Sequence, residues 1–457
     1  MKIVILGAGQ VGSSVAESLV SEENDITVVD LEPQRLRALQ DRLDLRTVAG
    51  SAGHPSVLRD AGIEDADLLI AVTQSDDTNL VACRLAARMF NVPRRIARLR
   101  ATDYLANEKV IGEEGFDIDL AICPEQVLTD YIVKLVEFPE ALQVLDFAGG
   151  KVSLVAVRAF AGGPLVGHPL KDLRTHMPSI DTRIVAIFRG DRSIVPDGNS
   201  VVEAEDEVFC LAASGHIREV LRELRRMDRP VKRVMIAGGG NIGLRLAFAL
   251  EKHYSVRVIE HDKRRCETLG ARLKDALVLN GDATDEELLE DESIADMDLF
   301  AAVTNDDENN IMSSLLAKRM GARRVISLIN RRSYVDLVQA GQIDIAISPA
   351  QATIGTLLAH VRRGDMVAVH SLRRGAAEAI EAVVHGDRSS SRIAGRRVEE
   401  IELPAGSTIG AVVRGDEVLM AHHDTRIEPE DHVIVFVTSK RLVPQVERLF
   451  QVSAGFL

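Results

Sequence analysis

The sequence is poor in the residues from which a disulfide or zinc framework is built. Its four cysteines, Cys83, Cys123, Cys210 and Cys266, are scattered through 457 residues with no CxxC pair and no histidine at ligand spacing. That pattern predicts reduced thiols, packed in the interior of a cytosolic protein. Positive charge is also in deficit: 55 Lys and Arg face 69 Asp and Glu, a formal net charge of −14. Such a chain is poorly suited to a nucleic-acid backbone or to bare anionic lipid as its main partner. Long apolar runs are lacking as well. The longest charge-poor stretch, Ile345 to Val361, contains Pro349, Gln351 and several hydroxyl residues, and it is shorter than the ~20 apolar residues of a membrane span. No direct membrane insertion is expected. The opening residues, MKIVILGAGQ, run straight into a strand and a glycine-rich turn, which predicts no signal peptide.

What is present is repetition. With 46% hydrophobic residues over 457 positions the chain can bury several cores, and two to four compact units are expected. MKIVILGAGQVG at 1–12 returns as KRVMIAGGGNIG at 232–243, and LIAVTQSDDTNLVACRLAARM at 69–89 returns as FAAVTNDDENNIMSSLLAKRM at 300–320. Gly7 becomes Gly238 and Thr73 becomes Thr304, an offset of 231 residues in both blocks. Within each copy, short apolar strands (KIVILG, DITVVD, LRTVAG, LLIAVT, RRIARL and IDLAIC in the first) alternate with helical stretches such as Val11 to Val20, Gln34 to Leu43 and Thr78 to Phe90. Strands apolar on both faces and separated by helices predict a doubly wound parallel sheet. A weaker repeat relates 184–224 to 409–449, each with a Gly-Asp turn (Gly190-Asp191, Gly415-Asp416), an acidic turn and a closing helix. Pro124 and Pro349 each open a helical connector to it. The expected fold is α/β: two Rossmann-like domains at 1–123 and 232–348, each followed by a small β-rich α+β domain at 143–227 and 368–453.

The chemistry-bearing residues sit at the carboxyl edges of those sheets. Gly7-Ala8-Gly9-Gln10-Val11-Gly12 follows an apolar strand and opens a helical pattern, as does Gly238-Gly239-Gly240-Asn241-Ile242-Gly243. The first glycine allows the tight turn, the second lets backbone approach a pyrophosphate, and the third permits close helix–strand packing. The helix N-terminus then offers free amides to the phosphates. Asp30 ends the second strand 18 residues after Gly12, and Glu260 ends its counterpart. An acid there accepts from both adenosine-ribose hydroxyls and repels a 2′-phosphate, so NAD(H) is preferred over NADP(H). Thr73-Gln74 and Thr304-Asn305 end the fourth strands and can face the nicotinamide half or the pyrophosphate. Arg98 is a candidate phosphate contact, and its counterpart is read as Ser327. Asp282, in GDAT, meets Ser51 in the GSAG of the first copy, so the two sites are not chemically equivalent.

A general acid–base group near a nicotinamide, which a dehydrogenase needs, is missing from the pattern. His54, His168, His176 and His216 stand alone in turns and loops, and adjacent residues such as His422-His423-Asp424 point to opposite faces of a hairpin rather than to one metal. The acidic turn Glu203 to Glu207 is read as solvated charge. Catalytic and metal sites are therefore expected to be absent. Two other readings stay open: an NAD-dependent oxidoreductase with its substrate between the halves, and a scaffold with vestigial nucleotide pockets.

The motifs NDITVVD, AVTQSDDTN, IARLR, GGGNIG, AVTNDDENNIMSSLLAKRMGA, VDLVQ, IDIAISPAQATI, SLRRGAAEAIEAV and IGAVVRGD make the chain resemble, along essentially its whole length, the tandem-RCK (regulator of potassium conductance) family of peripheral subunits of bacterial Trk potassium-uptake systems. The resemblance implies a non-catalytic regulatory subunit at the cytoplasmic face of the inner membrane. Its partner would be an integral-membrane Trk-type potassium-transport subunit, gated through a homo-oligomeric ring whose shape responds to NAD(H), with ATP or ADP as further ligands. Carried over, the first site comprises Gly7 to Val11, Asp30, Thr73, Gln74 and Arg98, and the second Gly238 to Ile242, Glu260 and Thr304.

Overall fold

The computed structural model describes residues 1–20, 24–190, 192–224, 229–331, 334, 338, 343–361, 366–373 and 377–452. Asp191 of the first Gly-Asp turn and most of the VDLVQ motif lie outside the described residues.

The first sheet contains β1 (Lys2–Leu6), β2 (Asp25–Asp30), β3 (Arg46–Ala49), β4 (Leu68–Ala71), β5 (Arg94–Arg98) and β6 (Leu120–Ile122) in the order β3-β2-β1-β4-β5-β6, and its pairs are parallel. Every residue of β4, and four of five in β1, are buried. Helices cover both faces of the sheet, which is why these strands carry unbroken apolar runs. The second sheet, antiparallel, contains β7 (Ala141–Phe147), β8 (Val152–Arg158), β9 (Thr182–Arg189), β10 (Arg192–Ile194) and β11 (Glu207–Ala213) in the order β10-β9-β11-β8-β7. The third repeats the first with β12 (Arg233–Ala237), β13 (Ser255–Glu260), β14 (Leu277–Asn280), β15 (Leu299–Ala302), β16 (Val325–Leu328) and β17 (Ile345–Ile347) in the order β14-β13-β12-β15-β16-β17. The fourth repeats the second with β18 (Met366–Leu372), β19 (Ala377–Val383), β20 (Ser407–Arg414), β21 (Glu417–Met420) and β22 (His432–Val437) in the order β18-β19-β22-β20-β21.

In space like groups with like. One compact unit holds residues Met1–Asp130 and Val234–Leu357, both nucleotide-type domains; the other holds Tyr131–Arg233 and Leu358–Leu457, both small domains. The helices Pro124–Glu137 and Pro349–Val361 are the proline-opened connectors.

Among the described residues, the two small domains of the second unit share an apolar core. Phe147, Phe188, Phe209 and Leu211 from the first small domain pack with Leu372, Ala411, Ile434 and Phe436 from the second. The rings of Phe209 and Phe436 lie 6.1 Å apart. Gly410 stands where the sheets meet most closely: a Cβ there would lie 2.7 Å from the Leu211 side chain. Each small sheet leaves an apolar face that its own closing helix cannot cover, and the partner sheet buries it. The acidic turn is solvated only in part: Glu203 and Glu205 are exposed, but Asp206 is not. Asp206 is buried and takes both ends of the Arg189 guanidinium, each at 2.9 Å, and Asp431 holds Arg414 in the same way. A bidentate pair satisfies a carboxylate that the turn geometry forces inward.

Cys83, Cys123 and Cys210 are buried, and Cys266 is half-buried. Burial pushes the Cys83 thiol up to about 12, and that of Cys210 higher still. Both are packing residues at neutral pH.

Candidate functional site

Strand order reverses beside β1, so the loops after β1 and β4 part there and leave a crevice at the carboxyl edge. The turn after β1 is made by Gly7, whose φ of +107° favours glycine and whose Cβ would meet the Val72 carbonyl at 3.0 Å. Gly12 is required by packing, because a Cβ there would sit 1.9 Å from the Gly7 carbonyl oxygen. Gly243 stands in the same relation to Gly238, also at 1.9 Å.

Gly9 and Gly240 differ in kind. Neither has a positive φ, and a Cβ on either meets nothing within 4 Å. Neither chain conformation nor internal packing calls for glycine at these two positions. The open space lies at the first turn of the helices Gln10–Val20 and Asn241–Leu250. Gly240 caps the second of these helices without a side-chain hydrogen bond. By contrast, Ser75 and Asp306 cap the helices after β4 and β15 in the ordinary way.

The acids lie where the sequence places them. Asp30 Oδ2 accepts from the Ala8 amide at 2.6 Å, and Oδ1 from the Glu32 amide at 2.8 Å. Glu260 Oε2 accepts from the Gly239 amide at 2.8 Å, and Oε1 from Asp262 at 2.9 Å. Each carboxylate is locked against its glycine loop with lone pairs to spare. The two loops solve one volume problem differently. The shorter Asp30 coexists with the methyl of Ala8, whereas a Cβ on Gly239 would lie 3.1 Å from Glu260 Oε2 and 2.3 Å from Leu269.

Thr73 and Thr304 are engaged by a residue that the sequence reading missed. The buried Asn79 accepts from the Thr73 amide (3.0 Å) and hydroxyl (2.7 Å) and donates to the Arg98 carbonyl (2.9 Å). Asn310 repeats this with Thr304 (2.9 and 2.6 Å) and the Leu328 carbonyl (2.9 Å). One amide side chain thereby ties two strand ends together, and losing it would orphan buried groups at a cost of about 1–3 kcal/mol each. The signal was available, since the same Asn recurs in both copies of the repeated block. Gln74 and Asn305 are exposed beside these turns.

Those Asn bonds also correct a pairing. Asn79 reaches Arg98 where Asn310 reaches Leu328, and Ala97 pairs with Ala71 where Ser327 pairs with Ala302. The counterpart of Arg98 is therefore Leu328, not Ser327; the second copy is one residue shorter before this strand, which shifts the register. Arg98 Nη2 donates to Glu125 Oε1 at 2.9 Å, with Arg100 Nε 3.4 Å from the same oxygen. The Arg98 and Glu125 side chains are only 14% and 12% exposed. The Nε atoms of both arginines are buried and make no hydrogen bond, that of Arg100 having only its ion-pair contact with Glu125. In the second copy Leu328 and Ala350 occupy these places, both buried. Arg245, from the helix after the second glycine loop, donates to the Arg100 carbonyl (2.9 Å) and to Gln126 Oε1 (2.8 Å), joining the two halves of this unit.

Asp282 is exposed and turned to its own loop, where the Thr284 amide and hydroxyl hold its carboxyl below the usual range. His176 pairs with Glu223 and His422 with Asp181, while His423 is exposed. Among the described residues no three His, Cys, Asp or Glu side chains converge on a metal-sized site.

The TrkA-N domain model matches residues 3–124 and 234–349, and the TrkA-C domain model matches 154–225 and 388–451. The Trk system potassium uptake protein TrkA of Halomonas elongata is 60% identical over 456 residues, with 100% of each chain covered. That of Vibrio alginolyticus is 57% identical over 458 residues, again with 100% of each chain covered. The chain belongs to the TrkA family of Trk-system potassium uptake proteins. Among solved structures, the GsuK channel bound to NAD superposes with a TM-score of 0.62 at 16% identity, covering 98% of this chain and 78% of that one. At that identity the likeness speaks for the tandem fold alone.

Proposed function

We propose that the chain is a non-catalytic nucleotide sensor: a peripheral regulatory subunit that gates an integral-membrane potassium-transport subunit in response to NAD(H), with ATP or ADP as competing ligands. The observation that carries this reading is the pair Gly9 and Gly240. Both are glycines for which the fold itself has no use, and both stand where a pyrophosphate would meet the helix amides. Asp30 and Glu260 would take the adenosine ribose. Thr73, Gln74 and Thr304 would form the opposite wall, and Arg98 would be a phosphate contact. Support also comes from the NAD that the GsuK channel holds on the same tandem fold. Nucleotide would act by binding one shape of a homo-oligomeric ring more tightly than another, at the cytoplasmic face of the inner membrane.

The experiment is calorimetric titration of the full chain with NADH, NAD, NADPH, ADP and ATP. It is repeated on Gly9→Val, Gly240→Val, Asp30→Ala and Glu260→Ala, with potassium flux through the membrane partner as the functional readout. NADH should bind well above NADPH, and each valine should abolish one site without lowering the unfolding temperature. Binding that survives both valines would remove the loops from the reading, and flux indifferent to nucleotide would remove the gating.

A further inference from the structure

The carbonyl of the second loop residue is bonded differently in the two copies. In the first, Ala8 O accepts from the Ser13 hydroxyl at 3.0 Å. In the second, Leu244 replaces that serine, and Gly239 O accepts instead from Arg265 Nε at 2.9 Å. The same guanidinium lies 3.4 Å from Asn241 Oδ1 through Nη2. It therefore flanks Gly240 on both sides, at the position left open for ligand phosphate.

One methylene decides where this arginine goes. Asp262 caps the helix Lys263–Arg272 by accepting from the Arg265 amide at 3.0 Å, which holds its carboxyl below the ordinary range and turns it away from the Arg265 side chain. In the first copy the corresponding acid is Glu32, which makes no side-chain cap and instead pairs with the Arg35 guanidinium at 2.9 Å. The longer acid keeps its arginine on its own turn, and the shorter one releases it to the glycine loop. Neighbouring charge follows the same direction. Residues 31–35 are Leu, Glu, Pro, Gln and Arg, one charge of each sign, whereas 261–265 are His, Asp, Lys, Arg and Arg, three positive against one negative.

We propose that Arg265 is a specificity-determining residue of the second site, directing it towards nucleoside polyphosphates such as ADP and ATP and leaving the first as the dinucleotide site. This rests on the nucleotide-sensor reading above. The two phosphates of a dinucleotide are diesters carrying one negative charge each, while a terminal phosphate carries nearly one more. A guanidinium with N–H donors still unused discriminates in favour of the denser charge through charge-assisted hydrogen bonds. Glu260 still receives the ribose, so the preference is for phosphate on the glycine loop and not on the 2′ position.

The test uses the full chain carrying Gly9→Val, so that only the second site reports, titrated with ADP and with NADH. ADP should bind more tightly than NADH. Arg265→Gln should weaken ADP about tenfold and NADH less than threefold, and should flatten the salt dependence of ADP binding. A merely structural role for Arg265, as a stand-in for Ser13, has its own signature. Adding Leu244→Ser to Arg265→Gln restores a hydroxyl for the Gly239 carbonyl without restoring charge. Recovery of ADP affinity in that double variant, or an equal loss of both ligands in Arg265→Gln, overturns the proposal. Failure of the wild-type chain to bind any nucleotide would instead sink the sensor reading beneath it.

Discussion

The two nucleotide-type domains share a strand order, a glycine loop and a buried asparagine staple, yet they differ at nearly every point where a ligand would be read. Ala8 with Asp30 stands against Gly239 with Glu260, and Glu32–Arg35 against Asp262–Arg265. At the far edge, the Arg98–Glu125–Arg100 cluster stands against Leu328 and Ala350. Each difference is a compensated pair: where one residue changes size or charge, its neighbour changes with it. What is common shapes the crevice, and what differs changes the side chains that line it. Repeat symmetry in such a chain is symmetry of scaffold and not of chemistry.

The largest expected effect comes from breaking the charged cluster. Glu125→Ala leaves two guanidiniums half-enclosed without their carboxylate and should cost the first nucleotide domain about 2–3 kcal/mol, somewhat below the figure for fully buried pairs. Adding Arg98→Leu copies the Leu328/Ala350 solution and should recover at least half of that loss, read as a shift of denaturant midpoint. A double variant no more stable than the single would mean that the two edges are not interchangeable solutions to one packing problem.

A second asymmetry lies in the small domains, where β18 carries His370 at the place that Leu145 holds in β7. Burial, chiefly, lowers the His370 pKa from 6.5 to about 4, against the opposing pull of Asp146. Its Nε2 is shut off from solvent, and its ring stands edge-on to Phe147 at 5.0 Å. Between those pH values the unfolded chain binds a proton that the folded chain refuses. Stability is therefore fully present above pH 6.5 and drains as the pH falls towards 4, by on the order of 2 kcal/mol. His370→Leu should flatten that slope; an unchanged pH profile in thermal unfolding would show that the acid sensitivity lies elsewhere.

The smallest effect sharpens the loop comparison. Gly239→Ala forces a methyl against Glu260 and Leu269 and should cost about 1–2 kcal/mol. Adding Glu260→Asp recreates the first copy's pairing and should restore about half, measured by the double-mutant cycle on unfolding free energy. Purely additive losses would separate the two residues.

The sequence by itself determined the doubly wound parallel fold, the glycine loops and the paired acids, because these depend on local periodicity and on a glycine-rich turn whose residues are contiguous. Repetition makes them legible twice, and the motif's spacing alone assigns Gly12 and Gly243 to close packing. Only the tertiary structure decided the rest. The Arg98 counterpart needed the inter-strand register, which a one-residue deletion hides in the sequence. The role of Asn79 needed two strand ends brought together six and nineteen residues away. The Asp206–Arg189 pair, buried at its carboxylate, read as solvated charge because hydropathy counts an acid without seeing its partner. The common core of the two small domains was invisible for a related reason. Phe209 and Phe436 each sit in a strand whose apolar pattern says only that it must be covered, and what covers it lies more than two hundred residues away in the chain.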